Sequence, residues 1–206
     1  MRTAKTAWLL LVAVMTVAAD DARIVYSKTF PGSAPAYFAV TIDRTGSATY
    51  NESQDADNAE HLQIEPNVTR GIFDLAQKLD HFKTPLESGL KVANMGQKAL
   101  RWEDGAERHE SKFNYSTSED AKALTEQFEH ISESARLRLD LDRAMKHDRL
   151  GVNEAMLKIQ IAWDNKRLVG TAQLLRLLDQ VANNETFVHM ARERAARLAE
   201  AIRALK

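Results

Sequence analysis

Residues 37–52 read YFAVTIDRTGSATYNE. Phe38, Val40 and Ile42 are apolar and alternate with Tyr37, Ala39, Thr41 and Asp43. A period of two marks a strand with one buried face. Arg44-Thr45-Gly46-Ser47 follows as a hairpin turn, because glycine accepts the positive φ that such turns need. Ser47 to Glu52 returns as the next strand. Antiparallel strands with one wet face predict a sheet whose other face needs a covering layer.

The neighbouring segments extend this sheet. Arg23 to Phe30 (RIVYSKTF) reads as a first strand, and Pro31 to Pro35 as a turn. After a polar stretch, His61 to Glu65 is a candidate short edge strand. A helix starts at Asn67 or Thr69, with Ile72, Phe73, Leu75, Ala76, Leu79 and Phe82 on one broad face. Lys83-Thr84-Pro85 ends it, since proline constrains the residue before it. A loop through Gly89 and Gly96 leads to Lys98–Glu103 and Glu107–Tyr115. These form a hairpin around Asp104-Gly105, a strong turn dipeptide. The predicted order is β-β-β-α-β-β.

Composition changes near Thr117. Residues 20–116 hold all four prolines, six of the eight glycines and ten of the fourteen aromatics. Residues 117–206 hold no proline and are rich in Ala, Leu, Glu and Arg, which are good helix formers. The predicted class is α+β: an antiparallel sheet domain with one packed helix over 20–116, then a helical domain of about four helices over 117–206. A helix starting at Thr117 or Ser118 and running to about residue 148 would be roughly 45 Å long. It either projects beyond the sheet or bends near Ser132–Ser134. Further helices are expected from Val152 or Asn153, from Thr171 and from about Glu185.

Residues 1–19 read MRTAKTAWLLLVAVMTVAA. Arg2 and Lys5 precede an uncharged stretch that closes on Val17 and Ala19, small residues suited to a cleavage site. This is the layout of a secretory signal peptide. It is short for a spanning helix, and no later stretch predicts one. The expected protein is secreted or periplasmic, with no integral membrane segment after cleavage. Removing Arg2 and Lys5 from 28 basic residues leaves 26 against 29 acidic ones, a net charge of −3.

Several chemistries are excluded or poorly supported. The absence of cysteine removes a disulfide scaffold, a thiol nucleophile and a cysteine-ligated metal site. No G-x-S-x-G, H-E-x-x-H or glycine-rich phosphate loop occurs. No two histidines are three or four residues apart, so neither metal nor cofactor is expected. Arginines along residues 136–149 are interleaved with acids, which predicts local salt bridges and no nucleic-acid partner. For a hydrolase with a dispersed site, His109, Glu103 and Asp104 are the candidates.

The strongest functional expectation is a binding surface. Tyr37, Tyr50, Trp102 and Tyr115 belong to hairpins whose aromatics are expected on the solvent-side face. That face is either covered by the long helix or offered to a partner. Arg101 and Arg108 would supply polar anchors. The contact surface would be this sheet face, or the groove where the helical tail meets the sheet.

The segment from Ile24 to Tyr50 combines a strand, the loop Pro31-Gly32-Ser33-Ala34-Pro35-Ala36-Tyr37 and a hairpin closed at Gly46. It resembles a family of uncharacterised exported bacterial domains that open with a strand, a G-x-x-P-x-Y loop and a hairpin. Gly32, Pro35 and Tyr37 carry the match, which covers about 30 residues. The resemblance implies export and carries no activity. The resulting expectation is a non-enzymatic module binding a protein or small ligand. The alternatives are the dispersed hydrolase and an envelope protein self-associating through the apolar 174–181 helix.

Overall fold

The structure is a computed structural model that describes residues 22–53 and 59–205. The expected signal peptide lies outside the described residues. Six strands form one antiparallel sheet: β1 (Arg23–Thr29), β2 (Tyr37–Asp43), β3 (Ser47–Asn51), β4 (Glu60–Gln63), β5 (Gln97–Asp104) and β6 (Glu107–Phe113). Their spatial order is β4-β3-β2-β1-β5-β6. β1 is therefore central, and the sheet grows outward from it through a hairpin series on each side. The edge strand begins one residue before its predicted start.

Alternation decides which face is buried. Ile24 and Tyr26 on β1, Phe38, Val40 and Ile42 on β2, and Leu100 and Trp102 on β5 all turn to one side. Tyr50 stands opposite Val40, so it shares that side and is 1% exposed. Trp102 stands opposite Ile24 and is 2% exposed. The expectation of solvent-side aromatics fails for both. Their strands are polar overall, but register with neighbouring apolar residues assigns these two rings to the core.

One helix packs on this face from within the sheet domain: α1 (Pro66–Lys78). It begins earlier than predicted, with Glu65 as N-cap and Pro66 in the first turn, where a missing N–H costs nothing. Thr69 is therefore inside the helix and buried. Its end leads into a short 3-10 turn over Asp80–Phe82, in which all three residues have positive φ. His81 stacks on Trp102 with ring centroids 4.1 Å apart, and Phe82 is buried beneath. These contacts hold a left-handed run that no glycine assists.

The helical part comprises α2 (Glu119–His147), α3 (Gly151–Asp164), α4 (Leu175–Asn183) and α5 (His189–Arg203). Ser118 caps α2 by accepting from the Ala121 N–H, with Glu119 and Asp120 in the first turn. α2 runs unbroken for 29 residues, so the projecting alternative holds over the bent one. Its first half, from Ala121 to Ala135, belongs to the sheet core. Leu137 and Leu141 belong to a second core shared with α3, α4 and α5. The two cores thus divide within α2, beyond the compositional change at Thr117. Leu174, Leu177, Leu178 and Val181 are buried inside that second core. The apolar face of the 174–181 segment is thus packed within the chain.

The bundle is tied back to the sheet by polar contacts. The Glu65 carboxylate accepts from the Gly170 N–H at 2.8 Å, the Thr171 N–H at 2.9 Å and the Thr171 hydroxyl at 3.0 Å. The Val169 N–H donates to Ser134 Oγ at 3.0 Å. No helix of the described residues is long and apolar enough to cross a membrane.

Two substitutions test this packing. Gly46 has φ +83°, and a Cβ there would lie 2.6 Å from the Ile64 carbonyl oxygen. Gly46→Ala should cost more than about 2 kcal/mol in chemical denaturation; a cost near zero would contradict the observed closure of β3 on β4. At exposed Asp80 the backbone is left-handed with φ 48°. Asp80→Gly should stabilise by about 1 kcal/mol, raising Tm by roughly 2–4 °C, and a lower Tm would argue against that conformation.

Candidate functional site

A cleft of about 640 Å³ opens between the end of the sheet and α2. Three segments build its walls. The β1–β2 loop contributes Phe30 and Pro35, the ends of β5 and β6 contribute Lys98 and Phe113, and α2 contributes Thr125, Glu129 and His130. Apolar surface makes up most of the exposed lining, with charged side chains on the floor, along α2 and at the far end.

The floor follows from strand alternation carried one step too far for a dry core. After Ile24 and Tyr26, the next inward position of β1 is Lys28. Before Leu100 and Trp102, the inward position of β5 is Lys98. Lys28 pairs in register with both Phe38 and Lys98, and Lys98 with Phe113. The last inward row of the sheet is therefore Phe38-Lys28-Lys98-Phe113. Two ammonium groups sit side by side where apolar residues would complete the core.

α2 lays one carboxylate across this row. Glu129 Oε1 accepts from Lys28 Nζ at 2.8 Å and from the Tyr26 hydroxyl at 2.9 Å. Burial raises the Tyr26 hydroxyl above its ordinary pKa, and the adjacent Glu129 charge raises it further, so it stays a donor. Tyr26 is also fixed by stacking on Phe128, with centroids 5.2 Å apart. Lys98 has no such carboxylate. Its Nζ donates to the Asn114 carbonyl at 2.8 Å and weakly to the Gly96 carbonyl at 3.5 Å. Those are its hydrogen bonds among the described residues, although Lys98 is only 9% exposed.

Asn114 holds the wall in place. Its side chain accepts from the Met95 N–H at 2.8 Å and donates to the Ala93 carbonyl at 3.0 Å. Its backbone N–H donates to Glu87 at 2.6 Å. That bond is the chief reason the Glu87 carboxyl lies below its ordinary pKa. The long loop before β5 is thereby tied to the end of β6. On the opposite wall, Phe30 N–H bonds the Ala36 carbonyl at 2.8 Å and closes the β1–β2 loop. Gly32 in this loop has φ +89°. At the far end, Arg167 pairs with Glu133 at 3.1 Å and Arg136 lies 4.0 Å from Glu52.

The residues expected to bind are scattered by the structure. Tyr115 lines the cleft, with Lys122 Nζ 5.7 Å from its ring centroid. Tyr50 and Trp102 are core residues. The Tyr50 hydroxyl donates to Glu52 at 2.8 Å, while Trp102 is enclosed by Phe73 and His81. Tyr37 is half-buried on the open face of the sheet, opposite in alternation to Phe38. Arg101 and Arg108 are on that open face as well and are not idle anchors. Arg101 pairs with Glu103 at 2.7 Å and Arg108 approaches the same carboxylate at 3.6 Å. Arg23 adds a third contact to Glu103 at 2.5 Å.

Of the hydrolase candidates, Asp104 shares a sheet face with His109 and Glu103 does not. Glu103 stands opposite Arg108, whereas His109 stands opposite Trp102. Glu103 and His109 therefore occupy opposite faces of the sheet. His109 pairs instead with Glu107 at 2.8 Å. Among the described residues, no group of three or more His, Asp or Glu side chains is arranged to hold a metal.

The cleft floor makes a measurable electrostatic prediction. Burial, and then the neighbouring Lys28 charge, hold the Lys98 ammonium below its ordinary value of 10.5. Between the folded pKa and 10.5, the unfolded chain binds more protons, so stability rises with pH across that window. Lys98→Met removes this linkage. The variant's Tm relative to the parent should be most favourable below the folded pKa and should lose ground as pH rises toward 10.5. A Tm difference that stays flat would contradict a buried ammonium.

A comparison with protein-family models finds none that matches the chain, and a comparison with curated proteins finds no matching relative.

Proposed function

We propose that this is an exported, non-enzymatic binding protein whose cleft between the sheet end and α2 holds a small, largely apolar ligand. The observation that carries the reading is the cleft itself: a concave space of about 640 Å³ in which apolar surface from Phe30, Pro35, Phe38 and Phe113 adjoins a row of charged and polar side chains. That combination of size and lining is typical of small-molecule sites. Export rests on Arg2, Lys5 and the uncharged run to Ala19. The non-enzymatic reading is supported by the engagement of Glu103 with Arg23 and Arg101 on the face opposite His109.

The site is also preorganised. Asn114 fixes one wall and Glu129 fixes the floor through hydrogen bonds within the fold itself. Binding then orders few side chains and loses little entropy. Of the two expected surfaces, the groove where the helical tail meets the sheet is favoured over the open sheet face. The open face carries paired charges, which a partner would have to desolvate.

The test uses a neutral fluorescent probe, N-phenyl-naphthylamine, titrated into the folded protein. Saturable enhancement is expected. Thr125 is half-buried on α2 and lines the cleft. Thr125→Trp fills it and should weaken binding by about tenfold or more, with circular dichroism unchanged. Equal binding by the filled variant would move the ligand elsewhere, and absence of any binding would remove the reading.

A further inference from the structure

Resting on the cleft as a ligand site, we infer that its ligand is an amphiphilic monoanion, an apolar body bearing a carboxylate that is received by Lys98. The inference comes from the charge arrangement on the floor. Lys28 and Lys98 stand side by side on β1 and β5. Glu129 is the one carboxylate bonded there, and both of its recorded bonds, from Lys28 and Tyr26, go to the same oxygen. Among the described residues the second ammonium hydrogen-bonds backbone carbonyls and no carboxylate, with the Phe113 ring centroid 5.8 Å away.

Other cations at the cleft are already compensated. Lys122 pairs with Glu119 at 2.8 Å, Arg167 with Glu133 at 3.1 Å, and Arg136 faces Glu52 at 4.0 Å. Among the described residues Lys98 is therefore the cleft cation without a directly bonded carboxylate, and Glu129 and Glu87 act on it only from a distance. An ammonium has three donors, and the carbonyls of Asn114 and Gly96 take two. An incoming carboxylate would take the third and neutralise the floor. A buried charge gains most from a partner that arrives with the site already dry.

The walls specify the rest of the molecule. Phe30, Pro35, Phe38 and Phe113 flank the lysine row, so the ligand carbon skeleton would lie against aromatic and prolyl surface. Phe38 and Phe113 terminate the row on either side of the two ammoniums. A fully polar anion such as phosphate would satisfy the charge and leave these walls wet. A neutral hydrocarbon would satisfy the walls and leave Lys98 unmatched. An apolar monocarboxylate does both.

The experiment compares decanoate and naphthoate with decanol, naphthalenemethanol and decylammonium, each competing against the neutral probe. The carboxylates should bind roughly ten- to a hundredfold tighter than the matched alcohols, and decylammonium weakest. Lys98→Met should erase the preference while retaining alcohol binding. Lys112→Met, on the exposed open face, should leave it intact. Equal affinity of acid and alcohol for the parent protein would overturn the anion assignment while sparing the cleft reading. So would a preference that survives Lys98→Met. Failure of the probe and of every competitor to bind would overturn both. The acid-against-alcohol comparison on the parent protein needs no variant, so the inference remains testable if Lys98→Met does not fold.

Discussion

A single helix that must belong to two cores is the constraint on which the rest of this molecule depends. α2 buries Leu124, Phe128 and Ile131 against the sheet, then Leu137 and Leu141 against the later helices. At 1.5 Å per residue its 29 residues span roughly 44 Å, longer than a sheet of seven-residue strands needs. The excess length is the nucleus of the bundle. Its buried surface rotates along the axis, which is why the inward residues in sequence form two offset stripes. The serines at the crossover, Ser132 and Ser134, are buried because the change of stripe brings a polar contact there. Ser134 accepts from the Val169 N–H and joins the halves.

The same helix explains how a sheet can end its core with two lysines. An isolated ammonium facing an apolar layer is costly enough that the position would ordinarily be Val or Leu. Glu129 lies one residue beyond Phe128, so the helix that supplies the deepest aromatic also supplies the compensating carboxylate. One carboxylate cannot match two ammoniums. The residual charge is tolerated because the walls diverge at this end of the sheet and leave a cleft. A well-packed apolar row would have been more stable, and that difference separates a site from a simple core boundary.

Much of the fold is legible in sequence because local signals agree with the tertiary result. The Phe38-Val40-Ile42 alternation, Gly46, the Asp104-Gly105 turn and the Ser118 cap each specify the element that forms. Register and facing are less legible. Tyr50 and Trp102 lie in strands too polar to reveal their buried side locally. Their facing is set by Val40 and Ile24, residues brought opposite them only by pairing. The left-handed Asp80–Phe82 turn had no glycine to announce it and is held by the stack of His81 on Trp102. The cleft did leave a signal. Ile24-x-Tyr26-x-Lys28 and Lys98-x-Leu100-x-Trp102 each place a lysine in phase with core residues. Phase alone could not say that the two lysines are neighbours, because strand order places β5 beside β1 across more than sixty residues of intervening chain.

The bundle is not an appendage to the cleft end of the molecule. Arg167 and Glu133 line the far part of the cleft, and Arg167 lies in the α3–α4 connection. Two residues later that connection bonds Ser134, and then Glu65 clasps Gly170 and Thr171. Glu65 in turn caps the start of α1 at the end of the sheet beside β4. A displacement of α3 and α4 would therefore be felt along α2 at the cleft rim and through Glu65 at the sheet edge. These are physical contacts between elements already packed in two places, so the bundle has little freedom to move independently. Its structural consequence is to hold α2 at one height over the lysine row. Leu177, Leu178 and Val181 thus pack in the same core as Leu137 and Leu141 of the helix that forms one wall of the cleft.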